Sequence, residues 1–549
     1  MKKQLFILLC CIFVQYAFGQ SVSEKLIVKL PGKENANSYS LKYDSRSGAW
    51  AYESYDTTTR RSKMISSKGT TKDYAGIMTY NAFFDKDGNV YVVSFENVTD
   101  TSYKYFLLKN SEEIGTYEYI KDNFAEKNGV LYFAVKENGK TSVATIELSN
   151  GKMTKGKAYD DVTFVYYPEK SYEGEPVGYP GFTKSGDVYY VATDGTQKCM
   201  VIGDKEQKKY ADIDIYNFAE DNAGNVVYTA NDKGPLYDTK GSTFIVQGAN
   251  EYKKFDNVYG PILFDNANNP VYIGADASAE GSSITPQRVM SGSTELSKTY
   301  TGWITDLQLT PQGKLAFIAS DYIDTTHSSY CAVVDGKETP KYNNVFNLTV
   351  SPAGEPVYSA QVGDKYYVMK SDKKLTGGVA NIVEYKLLPN GKLCYITAIY
   401  GDYNKGKTDK FYFYAGDEKS GPYDFLGYGD EGYGSNITTD DAGNFAYIAS
   451  KLIDKKNYVY SYTAYSNKGN SDEFDSIGLL RMVKGKVFFS ASNYTDKKNF
   501  IQTSRLYSNF EPVSKEYNSI TTLNTNANDP VQYFTAAKGN EIYLLEVKF

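Results

Sequence analysis

The chain has 549 residues, 60 of them basic and 66 acidic, with 41% hydrophobic residues and an aromatic set of 53 Tyr, 28 Phe and only 2 Trp. That is globular composition at more than one domain's length, which excludes disorder and collagen-like order. Six Arg and no basic stripe exclude a nucleic-acid footprint, and a single histidine, His327, excludes two-histidine zinc sites and leaves little room for a Ser-His-Asp triad.

Residues 1–19, MKKQLFILLCCIFVQYAFG, begin with two lysines, continue as an apolar run too short to cross a bilayer, and end in Ala17-Phe18-Gly19. This pattern predicts a signal peptide cleaved before Gln20, hence export to the periplasm, the cell surface or the exterior. Cys10 and Cys11 lie inside the apolar run without a small residue ahead of them, so no lipid anchor is expected. No later stretch reaches 18 apolar residues, so no transmembrane span is expected in the mature chain.

KLIVKL (25–30) reads as a lone strand, and then one pattern recurs twelve times: a short strand, a turn ending in Gly or Asn, and an apolar strand rich in Tyr, Val and Ala. The copies include SRSGAWAYES, DKDGNVYVVS, DNAGNVVYTA, TPQGKLAFIA and DDAGNFAYIA, with turns from Gly48 to Asn528. Gly and Asn accept the positive φ of a hairpin turn. A second motif precedes most turns, an aromatic residue followed by Ile or Val, as in KYADI (209–213), KFDNV (254–258) and EYNSI (516–520). Another hairpin lies between the motifs, so each repeat of roughly 40 residues holds four short strands and almost no helix, the content of a propeller blade.

LTPQGKLAFIAS (309–320), VSPAGEPVYSA (350–360) and LLPNGKLCYITA (387–398) resemble the SPDGKxIAFxS-type blade of TolB-like propeller repeats. The Gly-His and Trp-Asp signatures of true WD repeats are missing, so the likeness is WD-repeat-like only in architecture. The resemblance implies a rigid recognition disc in the bacterial envelope and carries over no catalytic residue.

Turns six repeats apart are separated by 257 to 266 residues, and the two longest repeats, 129→186 and 391→443, also lie six apart. This predicts an all-β chain of twelve four-stranded blades, arranged as two tandem six-bladed propellers over 20–291 and 292–549; one twelve-bladed ring fits the same spacing. The last repeat lacks a fourth strand, which KLIVKL is placed to supply. In the two-ring arrangement, a strand around Glu295–Tyr300 closes the second ring as KLIVKL closes the first.

Turn sequences such as DKDGN (85–89) and DNAGN (221–225) resemble fragments of a calcium loop, but none is complete, and Asp or Asn binding its own backbone is the simpler chemistry. Cys199, Cys331 and Cys394 fall in apolar strand-like runs and read as buried thiols, while His327 reads as a surface residue. No GxSxG elbow, Walker loop or dinucleotide fingerprint is present, so no cofactor and no metal are expected. The long repeats carry Tyr/Gly-rich loops, 166–181 and 423–436. Tyr166, Tyr167, Tyr172 and Tyr179 in the first, and Tyr423, Tyr428 and Tyr433 in the second, are the candidate ligand-binding residues, because Tyr gives large contact area at small entropy cost; pinning each loop to the disc is the alternative. The expected function is non-enzymatic binding of an envelope protein or glycan. The rival is a carbohydrate-active hydrolase or lyase using channel carboxylates.

Overall fold

The computed structural model describes residues 21–29, 41–99, 101–166, 178–236, 240–276, 285–323, 327–351, 353–402, 407–427, 436–499, 501–523 and 530–549. The predicted leader lies outside them.

The described chain is all-β, with one 3-10 turn at Thr79–Asn81. Twelve antiparallel sheets follow one another as β-propeller blades, each with strand order 1-2-3-4. In chain order they cover 42–70, 76–117, 119–155, 161–210, 212–251, 257–295, 304–338, 344–374, 382–423, 425–470, 476–512 and, as blade 12, 519–548. Ten apolar clusters fill the spaces between successive sheets, seven from blade 1 to blade 8 and three from blade 9 to blade 12.

The second strand of a blade is covered on both faces, so it is written as an unbroken apolar run and not as an alternation. Val226–Asn231 (VVYTAN) and Pro270–Ala275 (PVYIGA) are buried at every position. Tyr is favoured here because its ring fills the gap between sheets while its hydroxyl finds a partner at the rim. Tyr272 is fully buried and donates to the Gly292 carbonyl at 2.9 Å. Cys199, Cys331 and Cys394 are buried free thiols in these layers, and burial pushes the Cys394 thiol up to about 12.

The turns follow Asx chemistry. The Asp221 carboxylate accepts from the Ala223 and Asn225 amides and from the Asn225 and Gln247 side chains, at 2.7–2.9 Å. Burial pushes its pKa up, but these donors outweigh burial and hold it down at about 2. Asp85, Asp265 and Asp440 are held in the same way by Asn89, Asn269 and Asn444.

A latch that joins one blade to the next recurs beside the Lys-x-Tyr motif. Tyr74, Tyr159, Tyr210 and Tyr300 each donate to a glutamate on the fourth strand of the following blade, Glu113, Glu206, Glu251 and Glu338, at 2.8–2.9 Å. The lysine two residues earlier pairs with the same carboxylate in each case, at 2.5–2.7 Å. That lysine also lies 5.0–5.4 Å over its own Tyr ring. Hydrogen bonds from Lys72, Lys157 and Lys208 hold the Glu113, Glu206 and Glu251 carboxyls below their ordinary 4.5. A carboxyl pKa lower in the folded than in the unfolded chain stabilises fully above the unfolded pKa and loses that contribution as pH falls through the folded one. Thermal melts of Glu113→Gln/Glu206→Gln/Glu251→Gln should therefore fall below wild type near neutral pH, and the gap should close as pH falls below the ordinary carboxylate range and through the lowered pKa values.

The N-terminal strand Ser21–Lys29 pairs antiparallel with Glu541–Lys548 and completes blade 12 as its fourth strand. Glu24 on that strand takes Lys515 at 3.0 Å, the lysine half of the latch seen at Glu113, Glu206, Glu251 and Glu338. The expected closing strand near Glu295–Tyr300 does not form ahead of blade 7. Thr294–Glu295 pairs with Met290 and Ser291 and Tyr300 bridges to Gln287, all within blade 6 or its exit, because the Lys298-Thr-Tyr300 latch needs that stretch there. Two compact units are described, one of 44–377 with the strands from Trp50 to Lys374, and one of 378–549 together with Ser21–Lys29 and Lys42–Tyr43.

Candidate functional site

First strands carry a repeated interruption. In blades 3, 5, 6, 7, 8, 9 and 11 pairing to the second strand slips within the first strand, between Lys121 and Ala125 in blade 3 and between Ile213 and Phe218 in blade 5. Such bulges bend a strand and re-aim its side chains. In blades 2, 4 and 10 the same position holds an insertion, between Gly76–Ile77 and Phe83–Phe84, between Asp161–Thr163 and Gly181–Phe182, and between Phe425–Leu426 and Thr438–Thr439. The two Tyr/Gly-rich loops are therefore the blade 4 and blade 10 versions of one structural position.

Within 44–377 the kinks of blades 2 to 5 form a continuous rim. Asn81 donates to the Asn123 side-chain oxygen at 3.3 Å, and Asn123 donates to the Gly178 carbonyl at 2.8 Å. Gly178 sits in the short ribbon that pairs Val165–Tyr166 with Gly178–Tyr179 and lies against the first strands of blades 3 and 5. Next along, the buried Asp214 accepts from the Tyr216 amide at 2.8 Å and Asn217 donates to Thr229 at 3.1 Å, which fixes the backbone under Tyr216. The rings that emerge are Tyr80 (61% exposed) and Tyr216 (58%). An exposed aromatic on a hydrogen-bonded frame gives contact area with little entropy left to lose on binding.

Of the predicted ligand-binding tyrosines, Tyr179 lies on this rim and is half-buried, and Tyr166 pairs there through its backbone. Tyr167, Tyr172, Tyr428 and Tyr433 lie outside the described residues. Tyr423 is only 6% exposed; it ends the fourth strand of blade 9 and its ring packs against Tyr447 and Tyr465. Its place is in the core, because the fourth strand ends against blade 10 before the long loop begins. His327 is exposed, on the loop between the second and third strands of blade 7.

Sequence reasoning passed over Tyr80, Asn81, Asn123, Asp214 and Tyr216. Their signal is present: YNAFFDKDG (80–88), DNFAEKNG (122–129) and YNFAEDNAG (216–224) repeat a Tyr or Asp followed by Asn, six or seven residues ahead of the turn glycine.

No helix among the described residues is long and apolar enough to cross a membrane. No family model and no curated protein matches the chain. Solved structures similar to it include a eukaryotic initiation factor (8% identity, 72% of this chain and 97% of that one, TM-score 0.32). The β-propeller domain of the Trilobed protease from Pyrococcus furiosus covers 53% of this chain and 93% of its own at 12% identity and TM-score 0.23. The Dos1 propeller covers 65% and 96%, at 12% identity and TM-score 0.22.

Proposed function

We propose that the protein is an exported, non-enzymatic β-propeller scaffold of the bacterial envelope that binds a protein or glycan on the first-strand rim of blades 2 to 5. The observation that carries this reading is the side-chain chain Asn81–Asn123–Gly178, flanked by the exposed rings of Tyr80 and Tyr216. The leader-like residues 1–19 and the TolB-like turns support export and an envelope setting.

A glycan array and a pull-down from envelope extract, each run with wild type and with Tyr80→Ala/Tyr216→Ala, test the site. A central Tyr removed from a binding surface costs about 2 kcal/mol, so each substitution should weaken binding by about 30-fold. Recovery of the same partners at the same yield by the double variant, with its melting temperature unchanged, would remove the rim from the account. A second variant that shortens 167–177 reports whether the blade 4 loop contributes.

A further inference from the structure

In the unit 378–549, the hairpins between the second and third strands of blades 10 and 11 repeat one tetrapeptide, Asp-Lys-Lys-Asn, at 454–457 and 496–499. Both turns are built alike. Asp454 accepts from the Lys456 and Asn457 amides at 2.9 and 3.2 Å, and Asn457 donates back to it at 2.7 Å. Asp496 accepts from Lys498 and Asn499 at 3.0 and 3.2 Å, and Asn499 donates back at 2.7 Å. The aspartates are thus occupied inside the turn, and the lysines are left pointing out. Lys497 reaches back to Asp475 at 2.8 Å; Lys455, Lys456 and Lys498 are exposed and make no ion pair with a described residue.

Apolar side chains flank both turns. Ile453 (57% exposed) and Tyr458 (75%) bracket the first, and the exposed Tyr494 and Ile501 bracket the second. The two sheets pack face to face through the cluster of Ile448, Phe474, Ile477 and Phe489, so the turns project from the same edge of neighbouring blades. Neither turn lies on the rim proposed above.

Ile453 and Ile501 are each about half exposed beside the charged tips of their hairpins (57% and 49%). What suits these tips is a continuous soft surface, apolar beneath and anionic on top. Aliphatic and Tyr side chains enter the boundary between headgroup and acyl chain, while lysines on flexible stems lie over phosphates. We infer that the tips of blades 10 and 11 dock the protein peripherally on an anionic lipid bilayer, with Ile453, Tyr458, Tyr494 and Ile501 entering the interface and Lys455, Lys456 and Lys498 meeting the headgroups. The inference is independent of the partner-binding rim, since it uses other residues in the other compact unit.

The test is co-sedimentation of the full chain with vesicles of phosphatidylcholine alone and with about 30% phosphatidylglycerol, at low and high salt. Wild type should sediment with the anionic vesicles and be released by salt. Ile453→Ser/Ile501→Ser and Lys455→Glu/Lys456→Glu/Lys498→Glu should each lower the partition coefficient by about tenfold or more, with unchanged melting temperatures because all five side chains are exposed. Failure of wild type to bind anionic vesicles overturns the inference. So does binding that survives both sets of substitutions. Dextran sulfate binding that is lost in the lysine variant, together with vesicle binding untouched in the isoleucine variant, would also overturn it by assigning the tips to a soluble polyanion.

Discussion

Deleting Ser21–Lys29 is expected to unfold or aggregate the unit that contains blades 9 to 12. This strand forms an eight-pair ladder with Glu541–Lys548, yet most of its side chains are exposed, so its contribution is mainly backbone hydrogen bonding. At about 0.5–1 kcal/mol net per bond, losing the ladder costs on the order of 5 kcal/mol, comparable with the whole stability of a small domain. Val22 would leave the cluster formed by Phe488, Leu506, Phe534 and Leu545, and Lys515 would lose Glu24. The bared edge of Glu541–Lys548 would then offer a row of unpaired N–H and C=O groups to another chain. Size-exclusion chromatography should show soluble oligomers or loss of protein, and a synthetic SVSEKLIVK peptide added during refolding should restore the monomer peak in part. A deletion variant with the wild-type melting curve would show that the strand is not part of the fold.

The second large effect is expected at the aromatic column between blades 9 and 10. Phe413 is buried and stacks on Tyr447 at 4.0 Å and 21°, and Tyr447 stacks on Tyr465 at 5.2 Å and 12°. Tyr447 also shares a 2.9 Å hydrogen bond with Ser420 and a 3.5 Å contact with the Tyr423 hydroxyl. Phe413→Ala opens a cavity that rigid sheets on both sides cannot close, at a cost of about 3–5 kcal/mol. Tyr423→Phe keeps the ring and removes one weak polar contact, so about 1 kcal/mol or less is expected. Both tryptophans, Trp50 and Trp303, lie in the other compact unit, so the readout is hydrogen exchange across 382–470 rather than fluorescence. Equal loss of protection in the two variants would contradict the assignment of the stack as the main contributor.

Much of this architecture was legible because blades are local objects. A turn Gly or Asn with an apolar run behind it fixes a hairpin within ten residues, and the eleven hairpins whose turns lie among the described residues are where that pattern places them. KLIVKL was legible as a closing strand since the last repeat lacks its fourth. What failed to show was anything decided between blades. The latch glutamates look like ordinary surface acids until the Tyr and Lys of the preceding blade meet them. Glu295–Tyr300 looked free to start a new ring because a latch and a closing strand use the same residue types. Tyr423 was grouped with the loop that follows it, yet the strand before that loop carries it into the core. The rim residues were hidden by the bulge itself, since a register slip breaks the alternation that marks a strand; only the aligned Tyr-Asn and Asp-Asn pairs betray it.

The most direct test of the account is hydrogen exchange of the intact protein, following the amides of 22–29 beside those of 541–548. If the N-terminal segment is the fourth strand of blade 12, the two stretches exchange slowly and lose protection together as denaturant rises. Fast, independent exchange of 22–29 while 541–548 stays protected would show that the chain ends are not paired, and the closed blade described here would be wrong.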